Sequence, residues 1–164
     1  MSLPLREILR AFYVGQRQQL YTYAVAITGD RGAAEDAIQA AFYRLLRRGE
    51  ALPAHLRPYV FRCVRNAAMD GFRRDKTPPD PILRSGEVDR PDPAAPADDF
   101  SADIAESALR HLSPDERETI VLKIYSDLTF QDIADQRDVP LSTVTSWYRR
   151  GLEKLRALLA PELR

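Results

Sequence analysis

The stretch from Thr77 to Asp103, TPPDPILRSGEVDRPDPAAPADDFSAD, limits the fold more than any other part of the chain. Six of the twelve prolines lie between Pro78 and Pro96. Proline has no amide hydrogen to donate and biases the residue before it away from helix, so no long helix survives here. The stretch also carries seven acidic and two basic residues, a net of −5. Low hydrophobicity with like charge predicts an extended, mobile linker. The chain is thereby divided into a module at 1–76, a bridge at 77–103 and a module at 104–164. Each module is small but sufficient for a core of three or four helices.

The formal net charge of zero conceals a pattern. Residues 1–76 hold thirteen Lys/Arg against seven Asp/Glu, a net of +6, and residues 104–164 hold nine against ten, a net of −1. A basic block beside an acidic bridge is compatible with a nucleic-acid partner although the sum vanishes. Cys63 stands alone among 164 residues, so no disulfide forms within the chain and a reducing cytoplasm is expected. The N-terminus, MSLPLREILR, has charges where a signal peptide needs an apolar core, and no apolar run spans a bilayer. Membrane insertion is not expected. Alternating β-branched runs and Asn-Gly turns are missing, and the chain reads as all-α.

Helical spacing is visible in both modules. Leu20, Ala24 and Ile27 repeat ahead of the TGD stop. Ala34, Ile38, Ala41 and Leu45 form the stripe of a second helix that starts near Asp30 or Gly32 and breaks at Gly49 and Pro53. A third helix is expected from about Leu56 to Arg74, with Val60, Val64, Ala67 and Gly71 inward. In the second module Ser113, Pro114 and Glu116 form a helix start of N-cap, first-turn proline and capping-box acid. Thr129 with Asp132 repeats that signal more weakly. Val144, Tyr148, Leu152, Leu155 and Leu159 give the last helix, starting near Pro140 to Ser142, an inward edge.

The segment IADQRDVPLSTVTSWYRR then poses a question of composition. Hydroxyl residues are mediocre helix formers, yet Ser142, Thr143, Thr145 and Ser146 open the last helix. Two short helices joined by a turn, the second led by small polar residues and followed by Arg149 and Arg150, have the layout of a helix-turn-helix. Such a helix meets base edges with its first turns. Hydroxyls both donate and accept, and a threonine methyl suits a thymine methyl. Arginine forks suit phosphates and guanine edges. A solvated helix of an ordinary bundle would start in the same way, because short patterns of this kind recur without DNA binding.

The segment LTFQDIADQRDVPLSTVTSWYRRGLEKLR resembles the promoter-binding C-terminal domain of the extracytoplasmic-function sigma factors of bacterial RNA polymerase. GDRGAAEDAIQAAFYRLL resembles the segment of that family that binds core polymerase. LRPYVFRCVRNAAMDGFRR resembles its helix for the downstream, −10, promoter element. The matches follow the family's order and cover nearly the whole chain. The resemblance implies two helical domains joined by a linker, the C-terminal one a helix-turn-helix for the −35 element.

It further implies that Glu35, Asp36, Gln39, Phe42 and Tyr43 dock on the clamp helices of the largest polymerase subunit. An acidic and aromatic helix face suits a basic partner, although such faces are more often merely solvated. Arg62, Asn66, Asp70 and Arg74 share one helix edge, with Arg65, Arg73 and Lys76 beside it. The resemblance puts melted promoter DNA along that edge and a base-selecting loop at about Arg48 to Arg57. Asp70 organises neighbouring arginines or forms a surface pair with Arg74, since DNA is itself negative. Asp89, Asp92, Asp98 and Asp99 are candidates, as a group, for a basic polymerase channel. The polymerase flap, promoter DNA and an anti-sigma protein complete the partners implied.

Four positions depart from the family pattern. Trp147 and Leu152 stand where basic residues are frequent, Tyr59 where tryptophan is usual, and Asp138 at a turn position that often holds glycine. Asp138 suggests a left-handed turn residue or a different turn geometry, and Trp147 a half-buried core edge, a thymine-methyl contact or packing against a partner. His55, His111 and Cys63 have no zinc spacing, and GDRG lacks the lysine of a phosphate loop, so neither metal nor cofactor nor catalytic residue is expected. Two rivals remain at this point: a polymerase-independent helix-turn-helix regulator, and a sigma-like adaptor that binds polymerase without reading DNA.

Overall fold

A computed structural model describes residues 4–49, 51–75 and 106–161, and every regular element among them is an α-helix. The linker at 77–103, with its four aspartate candidates, lies outside the described residues, as does Lys76. The first module contains α1 (Leu5–Thr28), α2 (Arg31–Arg48) and α3 (Leu56–Asp75). Gly29 ends α1 with φ of 69°, a left-handed conformation that costs little without a Cβ, and donates its amide to Val25 O at 2.8 Å. Asp30 then caps α2 by accepting from the amide of Ala33.

The expected stripes are buried: Leu20, Ala24 and Ile27 on α1, Ala34, Ile38, Ala41 and Leu45 on α2, and Val60, Val64 and Ala67 on α3. Gly71 is only half-buried. Phe61, Ala68 and Phe72 widen the inward face of α3 beyond a single stripe, because α3 packs against both other helices. The alanines of α2 allow close helix approach, and a cavity of about 310 Å³ remains between α2 and α3 beside Ala33, Asp36, Gly71 and Arg74.

The second module begins with a helical stretch at 106–110 and continues through α4 (Pro114–Ile124), α5 (Phe130–Arg137) and α6 (Leu141–Leu159). Both capping boxes form, Ser113 with Glu116 and Thr129 with Asp132. Buried Arg117 donates to the carbonyls of Leu109, Arg110 and Leu112, tying the lead-in stretch to α4. Val144 is fully buried on α6, whereas Tyr148, Leu152, Leu155 and Leu159 are half-buried. Gly151, absent from the predicted stripe, is buried, and a Cβ there would stand 2.5 Å from Ile120 Cδ1. α4 and α6 therefore cross at their closest where a side chain is missing. Among the described residues no helix is long and apolar enough to cross a membrane.

The two modules pack on each other, α1 against α4 and α3 against α5. Tyr23 of α1 is fully buried at this junction with its ring 5.5 Å from that of Phe61.

Candidate nucleic-acid interface

α5, the turn and α6 build the candidate reading end of the second module. Asp138 closes α5 with φ of 53° and ψ of 49°, the left-handed turn residue its position suggested. An aspartate tolerates this region better than a branched residue does. Val139 then donates its amide to Ala134 O at 3.1 Å, and α6 starts at Leu141. Ser142, Thr145, Arg149 and Arg150 are exposed, while Thr143 and Ser146 are half-buried on the same end. The Thr145 hydroxyl donates to Ser142 O at 3.0 Å, so its oxygen is left to act as an acceptor.

The aromatic residues of α6 point the other way. Trp147 packs half-buried against the core, with the Arg137 guanidinium 5.1 Å from its ring centre. Tyr148 meets Phe130 edge-on at 5.0 Å. Trp147 is thus the core edge expected of it.

On α3, Arg62, Asn66, Arg73 and Arg74 are exposed and Asp70 is half-buried. The Asp70 partners are Arg44 Nη1, 2.8 Å away on α2, and Arg73 Nη1 at 3.8 Å. Asp70 therefore pairs with Arg44 and Arg73 rather than with Arg74, and it organises neighbouring arginines, one of the two readings anticipated for it. Sequence spacing could not find Arg44, because its partner lies 26 residues away on another helix. Arg44, Arg48 and Arg62 surround Cys63, whose thiol is pushed up by burial while the three cations pull it back. Arg65 points to a different place: its Nε donates to Glu118 Oε1 of the second module at 2.8 Å.

Glu118 is the centre of the junction between modules. Its Oε1 also accepts from the Tyr23 hydroxyl at 2.6 Å, and its Oε2 accepts from Arg137 Nη1 at 2.7 Å. Gln136 Nε2 donates to the Tyr23 oxygen at 2.8 Å, and Arg137 also bonds Asp115. Burial, then the charge and hydrogen bond of Glu118, hold the Tyr23 phenol well above its usual pKa, against the pull of Arg65 and Arg137. Burial alone would lower the Arg137 pKa, but Glu118 and Asp115 outweigh it and raise it. Arg57 adds a second, looser contact, donating to Ser126 O at 3.4 Å.

On α2, Glu35, Asp36, Gln39 and Tyr43 are exposed on one side of the helix. Phe42 is half-buried and stands edge-on to Tyr13 of α1 at 5.4 Å, a support for this face rather than its outermost member. Tyr43 is 62% exposed, and Leu46, which the sequence pattern did not single out, is 43% exposed beside it. An apolar pair rimmed by carboxylates has the makeup of a docking surface.

Residues 13–77 match the family description Sigma-70 region 2, and residues 102–155 match Sigma-70, region 4. The chain is 33% identical over 131 residues to the RNA polymerase sigma factor CarQ of Myxococcus xanthus, covering 77% of this chain and 74% of that protein. It is 28% identical over 149 residues to the ECF RNA polymerase sigma factor SigE of Mycolicibacterium smegmatis, covering 87% of this chain and 58% of that one. Its fold is similar to that of the sigma factor RpoE of Bartonella quintana, solved in complex with the anti-sigma factor NepR. There the TM-score is 0.72 at 20% identity, covering 94% of this chain and 98% of the other.

Proposed function

This chain belongs to the extracytoplasmic-function sigma factors of RNA polymerase, and from that premise we propose how its surfaces divide the work. The first module, 1–76, docks on core polymerase through Glu35, Asp36, Gln39, Phe42 and Tyr43, with the clamp helices of the largest subunit as their target. Leu46 extends that face. The same module holds the melted −10 strand along Arg62, Arg65, Asn66, Arg73 and Arg74, with Asp70 positioning Arg44 and Arg73. Arg44 and Arg48 carry the cationic surface across α2 towards the loop at 48–57. Cations track the phosphates there, and unstacked bases find polar partners.

The second module, 104–164, reads the −35 duplex with Ser142, Thr143, Thr145 and Ser146, and Arg149 and Arg150 reach phosphate or base. The observation that carries this reading is the division of α6. Its hydroxyl and arginine side faces outward while Trp147, Tyr148 and Val144 face the core. Recognition energy is directed to strand opening, and the covalent chemistry belongs to the polymerase. The flap is the second polymerase contact proposed, and the cytoplasm is the compartment in which those partners meet. An anti-sigma protein is a further proposed partner, supported by the complex in which the RpoE neighbour was solved. No observation favours the polymerase-independent regulator or the adaptor that reads no DNA.

Run-off transcription tests the reading. Core polymerase, this protein and fragmented DNA from its source should give discrete transcript starts sharing two spaced upstream motifs. Core binding without specific starts would overturn the DNA-reading half, and absence of core binding would overturn the whole.

A further inference from the structure

α5 grips α6 at both of its ends. Phe130, its first residue, meets Tyr148 edge-on, and Arg137, its last, lies over the ring of Trp147. Tyr148 and Trp147 are consecutive, so they stand about 100° apart around α6, on either side of the buried Val144. Grips on two flanks resist rotation of the helix about its own axis. We propose that Arg137 is a positioning residue for promoter recognition: its guanidinium, fixed to α4, sets the rotation of α6 and thereby the angle at which Thr143 and Arg150 meet DNA. This rests on the reading of α6 as the −35 reader.

Arg137 acts from behind the reading face. Its side chain is 12% exposed and is bonded within the module. Nη1 donates to Glu118 Oε2 at 2.7 Å and Nη2 to Asp115 Oδ1, both on α4. A guanidinium bonds and stacks at once, because its N–H groups point outward in its plane and leave its faces to a ring. Three helices therefore meet at one side chain. The Phe130–Tyr148 contact has no such anchor, since ring pairs remain favourable over centroid separations of about 4.5–7 Å. Trp147 stands where the family often carries a basic residue, and the cation of that flank is supplied here by α5.

Helical spacing carries the effect to the outward residues. Thr143 lies four residues before Trp147 and Arg150 three after it, so both share its side of α6. Bonds to base edges require placement within about 0.5 Å and 10–20°. Attraction to phosphates is sequence-independent and far less exacting. Loss of the tie is thus felt in sequence discrimination before it is felt in affinity. Lysine at 137 would keep the charge, but without a fork or a plane it cannot bridge two carboxylates and cover a ring.

The test uses holoenzyme assembled from core polymerase and the full chain. Its probes are a promoter duplex recovered by run-off transcription and the same duplex with its −35 motif scrambled. Arg137→Lys should lower the ratio of the two affinities by about tenfold, as one lost base contact would, and leave binding to the scrambled duplex near the parent's. Asp115→Asn should act in the same direction by less. In the free chain the emission of Trp147, the single tryptophan, should shift in both variants. Trp147→Leu should also lower the ratio, and adding Arg137→Lys to it should lower it little further. A proportional fall in both affinities, with the ratio intact, would reduce Arg137 to a stability role and overturn the proposal. So would an unchanged ratio in folded Arg137→Lys and Trp147→Leu, if Thr143→Ala with Arg149→Ala loses discrimination. If that last variant also keeps the parent's ratio, the reading of α6 itself fails and takes this inference with it.

Discussion

Thr143 and Arg149 stand on the outward end of α6, and each is expected to act on DNA rather than on the fold. A lost base contact costs about 1–3 kcal/mol, so Thr143→Ala with Arg149→Ala should lower promoter-dependent transcription by at least about tenfold. The melting temperature should stay near that of the parent. Unchanged run-off transcription would show that this face reads nothing. Tyr23 is the opposite kind of residue, one whose chemistry is felt by the fold. A tyrosine in an unfolded chain ionises near about pH 10. Tyr23 keeps its proton to higher pH, chiefly because it is buried and then because it faces Glu118. Above about pH 10 the folded state therefore binds more protons than the unfolded one, and stability, full below that point, falls as pH rises. Denaturant titrations on either side of that pH should show the decline, and Tyr23→Phe should flatten it.

Helix ends and crossings set the next level. The capping box of Ser113 and Glu116 holds the start of α4, on which Glu118 is placed two residues later. Ser113→Ala should cost about 1 kcal/mol, read as a lower denaturation midpoint. Gly151 sets how closely α6 approaches α4, so Gly151→Val should press on Ile120 and cost about 1–3 kcal/mol. A midpoint equal to the parent's would mean that Ile120 simply rotates away. Both caps and the periodic stripes were legible in the sequence, because they depend on neighbours within one or two turns. Gly151 was not, since a buried glycine leaves no apolar signature in a 3.6-residue pattern. The width of the inward face of α3 was likewise invisible, because it depends on how many helices surround it.

For the whole molecule, the division into two helical modules could be read from the prolines, but the contact between them could not. Tyr23, Glu118 and Gln136 join at separations of 95 and 113 residues, and no local pattern marks such partners. Arg65 shows the consequence: the family resemblance placed it beside a DNA edge, while the structure places it on a carboxylate of the other module. Arg44 was missed for the same reason, as the cation of a long-range pair. The proposed docking face of α2 lies apart from this contact, so Tyr43→Ala should weaken core polymerase binding by about 2 kcal/mol or more. Unaltered polymerase affinity would remove Tyr43 from the interface.

The two-sided character of α6 has a further consequence. Val144, Gly151, Trp147 and Tyr148 fix the helix in its module, while Ser142, Thr145, Arg149 and Arg150 take no part in that packing. Vocabulary and grammar are thereby separated. On the proposed reading, the outward residues form a cassette that selection, or a designer, can rewrite to address a new set of promoters without refolding the domain that carries it.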